Sequence, residues 1–407
     1  MYAPEMSQKT LIAVEKRGAE QNSDYSRKCF NVNDFQILAH QLLPKDLYEY
    51  LASGSDDETT LNENRRAFQR WFLRPRVMRP VGKISTRTAL FGNSVSMPVF
   101  VSPAGVHALC DPEGECSTVQ ACAKAGILFG LSQHSTRSIE EVAAAAPPTT
   151  VRWYQLYILK DRERTKSLIR RAIKAGYTGL FLTVDSVRFG YREADARNGF
   201  NALPPPHRLK NYDDSLQGSP SLDKTYNGKE EKAWDQNSEQ MFEQNVNWND
   251  IQWIKKEAGP VPLVIKGIMT PEDAELAISA GADGIMVSNH GGRQLDGCLA
   301  TIDALPPIAK VVAGRVPILL DSGIRRGTDV LKALALGASA VGIGKPVFFS
   351  LAVGGQDAVS YLLELLRTEI EAAMAICGIE KISDITPNLV TSQQMQLASA
   401  SHLRSSL

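Results

Sequence analysis

The segment PLVIKGIMTPEDAELAISAGADGIMVSNHG, residues 262–291, is a complete strand–helix–strand unit. Its flanks, PLVIKG and GIMVSNHG, are short apolar runs with β-branched residues, as expected of buried strands. The middle carries helix signals: Thr270 as cap, Pro271 in the first turn, Asp273 to complete a capping box, and Gly281 as a left-handed stop. The same rhythm extends in both directions. MPVFVSP (97–103), ILFGLSQ (127–133), TVRWYQLY (150–157) and GLFLTVD (179–185) precede the segment, and PILLDSG (317–323) and AVGIGKP (340–346) follow it. Several of these runs are apolar nearly throughout, which fits a parallel sheet covered on both faces. SIEEVAAAAP repeats the helix signals, with Ser138 as cap, Glu141 three residues on and Pro147 as terminator. Four helices close on a small-residue phrase: Ala125-Gly126, Ala175-Gly176, Ala280-Gly281 and Gly337-Ala338. Such units in series predict a closed (β/α)₈ TIM barrel rather than an open doubly wound sheet. The open sheet would want a G-x-G-x-x-G turn after its first strand, and the sequence has none there.

Two parts fall outside the repeat. An N-terminal helical segment, LPKDLYEYLASG (43–54), precedes the first strand, and a connection spanning 186–261 separates the fourth strand from the fifth. That insertion leaves the carboxyl end of a barrel strand, where barrel active sites are built, and its length marks it as a lid, an interface or a disordered loop. The predicted organisation is a mobile arm (1–30), a barrel domain (31–390) carrying the insertion, and a C-terminal tail (391–407).

Composition narrows the partners. Lys plus Arg and Asp plus Glu both total 45, so the net charge is zero and nothing argues for nucleic acid or an anionic membrane. No apolar run approaches the roughly 18 residues a membrane helix needs. The six cysteines include no C-x-x-C pair and no His at zinc spacing, which predicts reduced thiols of an intracellular protein and no metal site. The ending Ser405-Ser406-Leu407 is a degenerate form of the Ser-Lys-Leu peroxisomal address; the expected location is the peroxisome if it works and the cytoplasm otherwise.

Chemistry collects after the sixth strand, in SNHGGRQLDG (288–297). His290 and Arg293 sit on a Gly-rich turn, and a His at a strand's carboxyl end can act as a base near neutral pH. Asp185 ends the fourth strand, Lys266 the fifth and Asp321 the seventh, while Lys345 follows the eighth. Charges on apolar strands are costly if buried unpaired, so their collection at one end predicts a shared polar site.

The segment resembles the signature of the FMN-dependent 2-hydroxy acid oxidases and dehydrogenases. The likeness runs from about residue 31 to 390 and includes DPEGE (111–115), QLY (155–157), TVD (183–185), VIKG (264–267), SNHGGRQLDG and LDSGIRRGTDVLKALALGA (320–338). The resemblance implies oxidation of an L-2-hydroxy acid to the 2-oxo acid, with FMN as cofactor and oxygen reoxidising the flavin to give hydrogen peroxide. A dehydrogenase with another acceptor and a monooxygenase stay open beside it. It further implies that His290 abstracts the substrate proton, that Asp185 pairs with the imidazolium and raises the base's pKa, and that Arg293 and Arg192 hold the substrate carboxylate. Tyr50 and Tyr157 would donate to the carboxylate and the reacting oxygen. Ser132, Gln155, Thr183, Ser288 and Lys266 would meet the flavin ring, beside the backbone of Pro103, Ala104 and Gly105. Asp321 would bind the ribityl chain, and Gly323, Arg325, Gly344 and Lys345 the phosphate. Three features depart from the plant glycolate oxidases: Lys345 in place of Arg, Gly105 in place of Ala, and His134 and Phe189 in place of Trp and Leu. The last pair lines the substrate pocket and predicts a substrate longer than glycolate. A homo-oligomer, tetramer or octamer, is expected.

Overall fold

A computed structural model describes residues 23–200, 203–212 and 241–392. Eight parallel strands form a closed barrel: β1 (Val99–Ala104), β2 (Phe129–Leu131), β3 (Arg152–Leu156), β4 (Gly179–Thr183), β5 (Leu263–Ile268), β6 (Gly284–Val287), β7 (Ile318–Leu320) and β8 (Ala340–Ile343). Each pairs with its neighbours in chain order, and β8 returns to β1 through Val341–Val99, Gly342–Phe100 and Ile343–Val101. All eight predicted strands are present. Ahead of the barrel come α1 (Val32–Leu42), α2 (Lys45–Ala52) and α3 (Thr59–Arg66). The barrel's outer layer is α4 (Glu115–Ala125), α5 (Ile139–Ala144) and α6 (Arg162–Lys174), then α7 (Glu193–Asn198) and α8 (Asp250–Ala258) within the insertion, and α9 (Pro271–Ser279), α10 (Thr301–Val312), α11 (Gly327–Ala335) and α12 (Lys345–Cys377), the last interrupted at Gly354 and Gly355.

Side chains alternate along the strands, and the two sets bury in different places. Phe100, Trp153, Phe181, Val264, Met286 and Leu319 fill the barrel interior, joined by Leu90 and Val95. Those two belong to an antiparallel hairpin, Thr88–Leu90 with Asn93–Val95. Phe91 at its tip lies 4.7 Å from Trp153, so the hairpin plugs the amino end of the barrel. The opposite set, such as Val99, Tyr154, Leu180, Ile265 and Ile285, packs outward against the helices. Chemistry is left with the carboxyl end.

The local signals read from the sequence act as expected, with two corrections. Ser138 and Glu141 form a complete capping box, and Gly126, Gly176, Gly281 and Gly337 all have positive φ. Thr270 caps α9, but Asp273 takes the Thr270 hydroxyl at 3.0 Å instead of the cap's backbone N–H, so no box closes. Residues 23–30, assigned to the arm from the sequence, pack against the barrel domain: Cys29 is fully buried and Tyr25 lies 5.7 Å from Tyr361. Thr391 and Ser392 pair with Phe72 and Trp71. Residues 1–22, the polar centre of the insertion at 213–240 and the terminal Ser405-Ser406-Leu407 lie outside the described residues. All six cysteines are free thiols.

Candidate active site

The turn after β6 is built to hold one imidazole. His290 has φ 57°, a left-handed conformation that a non-glycine residue keeps only when its surroundings enforce it. Here they do. The His290 N–H donates to Ser288 Oγ at 3.2 Å, and the Gly291 N–H donates to Ser322 Oγ at 3.0 Å. Asn289 is locked to Asn64 of α3 by two reciprocal amide bonds of 2.9 and 2.7 Å. Gly292 has φ 73°, and a Cβ there would stand 2.6 Å from the Leu61 nitrogen, so α3 approaches too closely for any side chain.

The ring is oriented from the neighbouring strands. His290 Nδ1 lies 3.0 Å from Asp185 Oδ1, while Asp185 Oδ2 is 3.8 Å from Lys266 Nζ. Ser186 Oγ donates to the same carboxylate at 2.8 Å. Gly267, at φ 110°, makes this cluster possible, since a Cβ there would meet the Asp185 Cβ at 2.7 Å. Burial pushes the Asp185 carboxyl up, but Lys266, His290 and Ser186 outweigh it and hold it well below its ordinary value. An ionised carboxylate only accepts, so Nδ1 carries the proton and the Nε2 lone pair is left for the cavity. Asp185 does raise the imidazole's pKa, as expected, but the net shift is downward. Burial lowers it, Lys266 lowers it further, and the Asp185 attraction does not offset the two. His290 is thereby kept neutral, the form in which it can take a proton.

His290 faces a cavity of about 620 Å³, a volume typical of ligand sites. Arg293 and Arg192 enter it from the same side as Tyr50 and Tyr157. Arg293 donates to the Tyr50 and Ser53 carbonyls at 2.7 and 3.2 Å, and its guanidinium lies over the Tyr50 ring, 5.2 Å from the centroid. Burial first, then Arg192, pulls Arg293 down to about 10. The insertion closes this side: Phe200 stacks on Tyr50 at 4.2 Å, and Asn198 just before it donates to Glu49 at 2.6 Å. His134 and Phe189 line the same region and belong to an aromatic group with Tyr157 and Phe242, His134 lying 5.1 Å from Tyr157 and 5.7 Å from Phe242. Burial, then His290 and Arg192, drives His134 down to about 3, so this ring is a neutral aromatic wall.

The rest of the cavity suits an elongated polar cofactor. Pro103, Ala104 and Gly105 form one wall, and a Cβ on Gly105 would stand 2.6 Å from the His134 carbonyl. Ser132 donates to Gln155 and Gln155 to Thr183, at 3.2 and 3.0 Å, which lines up a row of polar groups from three strands. Lys266 Nζ is buried without a hydrogen-bond partner, as is Arg325 Nε. Burial, then Arg65, lowers Arg325 to about 9. Gly323, Gly344 and Asp321 line the cavity as well, Asp321 accepting from Ser102 at 3.1 Å. Buried cations with unused donors and a hydroxyl–amide row fit a flavin mononucleotide, which brings a polar ring edge and a phosphate.

Two predicted cofactor residues are placed differently. Ser288 is fully buried beneath the turn, where it accepts the His290 N–H, and does not line the cavity. Lys345 lines it, but its ammonium donates to the Ala52, Ser53 and Gly291 carbonyls at 3.0, 2.8 and 3.3 Å, as a strut between α2 and the turn after β6. Sequence reasoning missed Arg65, Ser102, Asp195 and Gln294. Gln294 Nε2 donates to the Asp185 and Arg188 carbonyls at 2.9 Å each, joining the turn after β6 to the insertion. Its place inside SNHGGRQ was the available signal.

Comparison with known proteins agrees with this geometry. Residues 39–392 match the FMN-dependent dehydrogenase family. The chain is 45% identical over 360 residues to glycolate oxidase 3 of Oryza sativa subsp. indica, covering 88% of this chain and 95% of that one. It is 44% identical over 363 residues to the 2-hydroxyacid oxidase of Dictyostelium discoideum, covering 89% and 90%. A mandelate oxidase structure superposes with a TM-score of 0.81 at 37% identity, covering 90% of this chain and 99% of that one. A lactate oxidase structure from Pediococcus acidilactici does so at 0.80 and 37%, covering 89% and 94%. The chain belongs to the family of FMN-dependent α-hydroxy acid oxidases and dehydrogenases, and its cofactor is FMN.

Proposed function

We propose that this protein oxidises an (S)-2-hydroxy acid to the 2-oxo acid and passes the electrons to oxygen. One observation carries the reading: a neutral imidazole, backed by an ionised Asp185, shares a cavity with two guanidinium groups and a Lys266 ammonium that makes no hydrogen bond. Arg293 and Arg192 hold the substrate carboxylate, and their fork geometry suits that anion. Burial keeps the Tyr50 and Tyr157 phenols protonated and raised above their ordinary value, so both serve as donors to the carboxylate and the reacting oxygen. His290 Nε2 takes the substrate proton, and Asp185 stabilises the imidazolium that forms. When bound, FMN supplies a two-electron acceptor that oxygen regenerates, with hydrogen peroxide as product. Lys266 offers a fixed positive charge to the ring's polar edge, and Ser132, Gln155 and Thr183 offer hydrogen bonds. Asp321 receives a ribityl hydroxyl, and Gly323, Arg325 and Gly344 receive the phosphate, as at other barrel phosphate sites.

The aromatic wall of His134, Tyr157 and Phe189 supports a substrate with a larger side chain than glycolate. Turnover on glycolate, lactate and 2-hydroxyoctanoate, with oxygen uptake and peroxide measured together, tests both points. The expected result is one peroxide per oxygen and the weakest turnover on glycolate. A strong preference for glycolate overturns the substrate reading, and reduced flavin that air reoxidises only very slowly overturns the oxidase reading. Among the described residues no helix is long and apolar enough to cross a membrane. We further propose a homo-oligomer, which light scattering would contradict by a monomer mass. The terminal Ser405-Ser406-Leu407 is proposed as a peroxisomal address, which fails if a fluorescent fusion locates identically without those residues.

A further inference from the structure

The arginines assigned to the substrate carboxylate share their cavity with a carboxylate of the protein itself. Asp195, in the first turn of α7, lines the cavity with Arg192 and Arg293. Its Oδ2 stands 3.7 Å from Arg192 NH1, inside ion-pair range but beyond a well-formed hydrogen bond. Asp195 Oδ1 and Arg192 Nε are both buried without partners. The contrast with the surface pair Arg170–Glu257, joined by two bonds of 2.9 and 3.1 Å, is informative. Asp195 stands beside the guanidinium and leaves the fork unused; burial raises its carboxyl above the ordinary value, against the pull of Arg293 and Arg192. The charged and titratable groups that face it are Arg192 at the N-cap of α7, Arg293 from the turn after β6, and the Tyr50 phenol of α2.

The charges can be counted. Arg192, Arg293 and the nearby Lys345 carry three positive charges against the two carboxylates of Asp195 and Glu58, which leaves a single net positive charge at this end of the cavity. One substrate carboxylate neutralises it, and a second would leave the region net negative among mostly buried side chains, where repulsion is stronger than in bulk water.

We propose that Asp195 is a specificity-determining residue whose carboxylate restricts the site to 2-hydroxy acids with one carboxylate and rejects those with two. This rests on the preceding reading, in which Arg192 and Arg293 receive the substrate. Asp195 neither touches the reacting atoms nor competes for the fork; it sets how much anionic charge the pair accepts.

The test compares (S)-2-hydroxybutyrate with (S)-malate, which have the same four carbons and differ by a terminal carboxylate. Wild-type holoenzyme and the variants Asp195→Asn and Asp195→Glu are followed by anaerobic flavin bleaching and by steady-state turnover. Wild type should bleach readily with 2-hydroxybutyrate and poorly with malate. Asp195→Asn should raise the malate-to-hydroxybutyrate ratio of kcat/KM at least about tenfold, chiefly through a lower KM for malate. Asp195→Glu, which keeps the charge, should keep the wild-type ratio. Asp195→Ser serves as a second uncharged variant should asparagine not fold. An unchanged ratio in the uncharged variants, or an equal change in Asp195→Glu, overturns the proposal and assigns any discrimination to the aromatic wall alone. If wild type bleaches with neither compound, the preceding reading fails instead.

Discussion

At the scale of single residues, the chemistry depends on how burial and one ammonium group bias an imidazole. His290 sits below its ordinary pKa of about 6.5 because desolvation and Lys266 together exceed the attraction of Asp185. The acid limb of kcat/KM is therefore expected below pH 6.5, with activity rising as His290 loses its proton. Lys266→Met should move that limb to higher pH, and a limb that stays in place or moves down contradicts the assignment. The linkage sign follows. A His whose folded pKa is depressed contributes stability above its unfolded pKa and loses it as pH falls through the folded value. Acid unfolding should accordingly be less steep in His290→Gln than in wild type. Most of these side chains could be read from the sequence because charged residues stand out at the ends of apolar strands. The direction of the His290 shift could not, because it depends on how deeply the ring and Lys266 are buried.

At the scale of elements, the site is where α2, α3 and the insertion meet the carboxyl ends of the strands. Lys345 illustrates how a charge near a phosphate site can act as a strut: burial, with Arg293, Arg325 and Arg65 nearby, pushes its ammonium well below its ordinary value, yet three carbonyls hold it. Lys345→Met should lower the thermal midpoint of apoprotein and holoprotein alike, by the equivalent of roughly 1–3 kcal/mol for the carbonyls left unsatisfied. If the residue instead bound phosphate, the apoprotein would be unaffected and FMN affinity alone would fall. The repeat of strands and helices was legible in local signals, each a cap, a glycine stop or an apolar run. What α3 and α7 contribute was not, because Arg65, Asn64 and Asp195 owe their roles to packing against loops far along the chain. Arg65, for example, lines the cavity from outside the barrel repeat.

At the scale of the whole molecule, the 88–95 hairpin plugs one end of the barrel, and the cavity at the other end collects residues from the N-terminal segment, the strands and the insertion. Binding of FMN should couple these parts. At a free FMN concentration a hundred times its Kd, the folded state gains about 2.7 kcal/mol, which should raise the thermal midpoint by a few degrees. Riboflavin at the same concentration should do less, since it lacks the anion that Arg325 would meet; equal shifts would remove Arg325 from the phosphate site. The central claim is that His290 is the base in a flavin site assembled by the barrel. Its most direct measurement is the rate at which the yellow absorbance of the holoprotein bleaches when an (S)-2-hydroxy acid is added without oxygen. Wild type should bleach rapidly, and His290→Gln should retain its flavin yet bleach at least about a hundredfold more slowly. Near-normal bleaching in His290→Gln, or none in wild type, would contradict it.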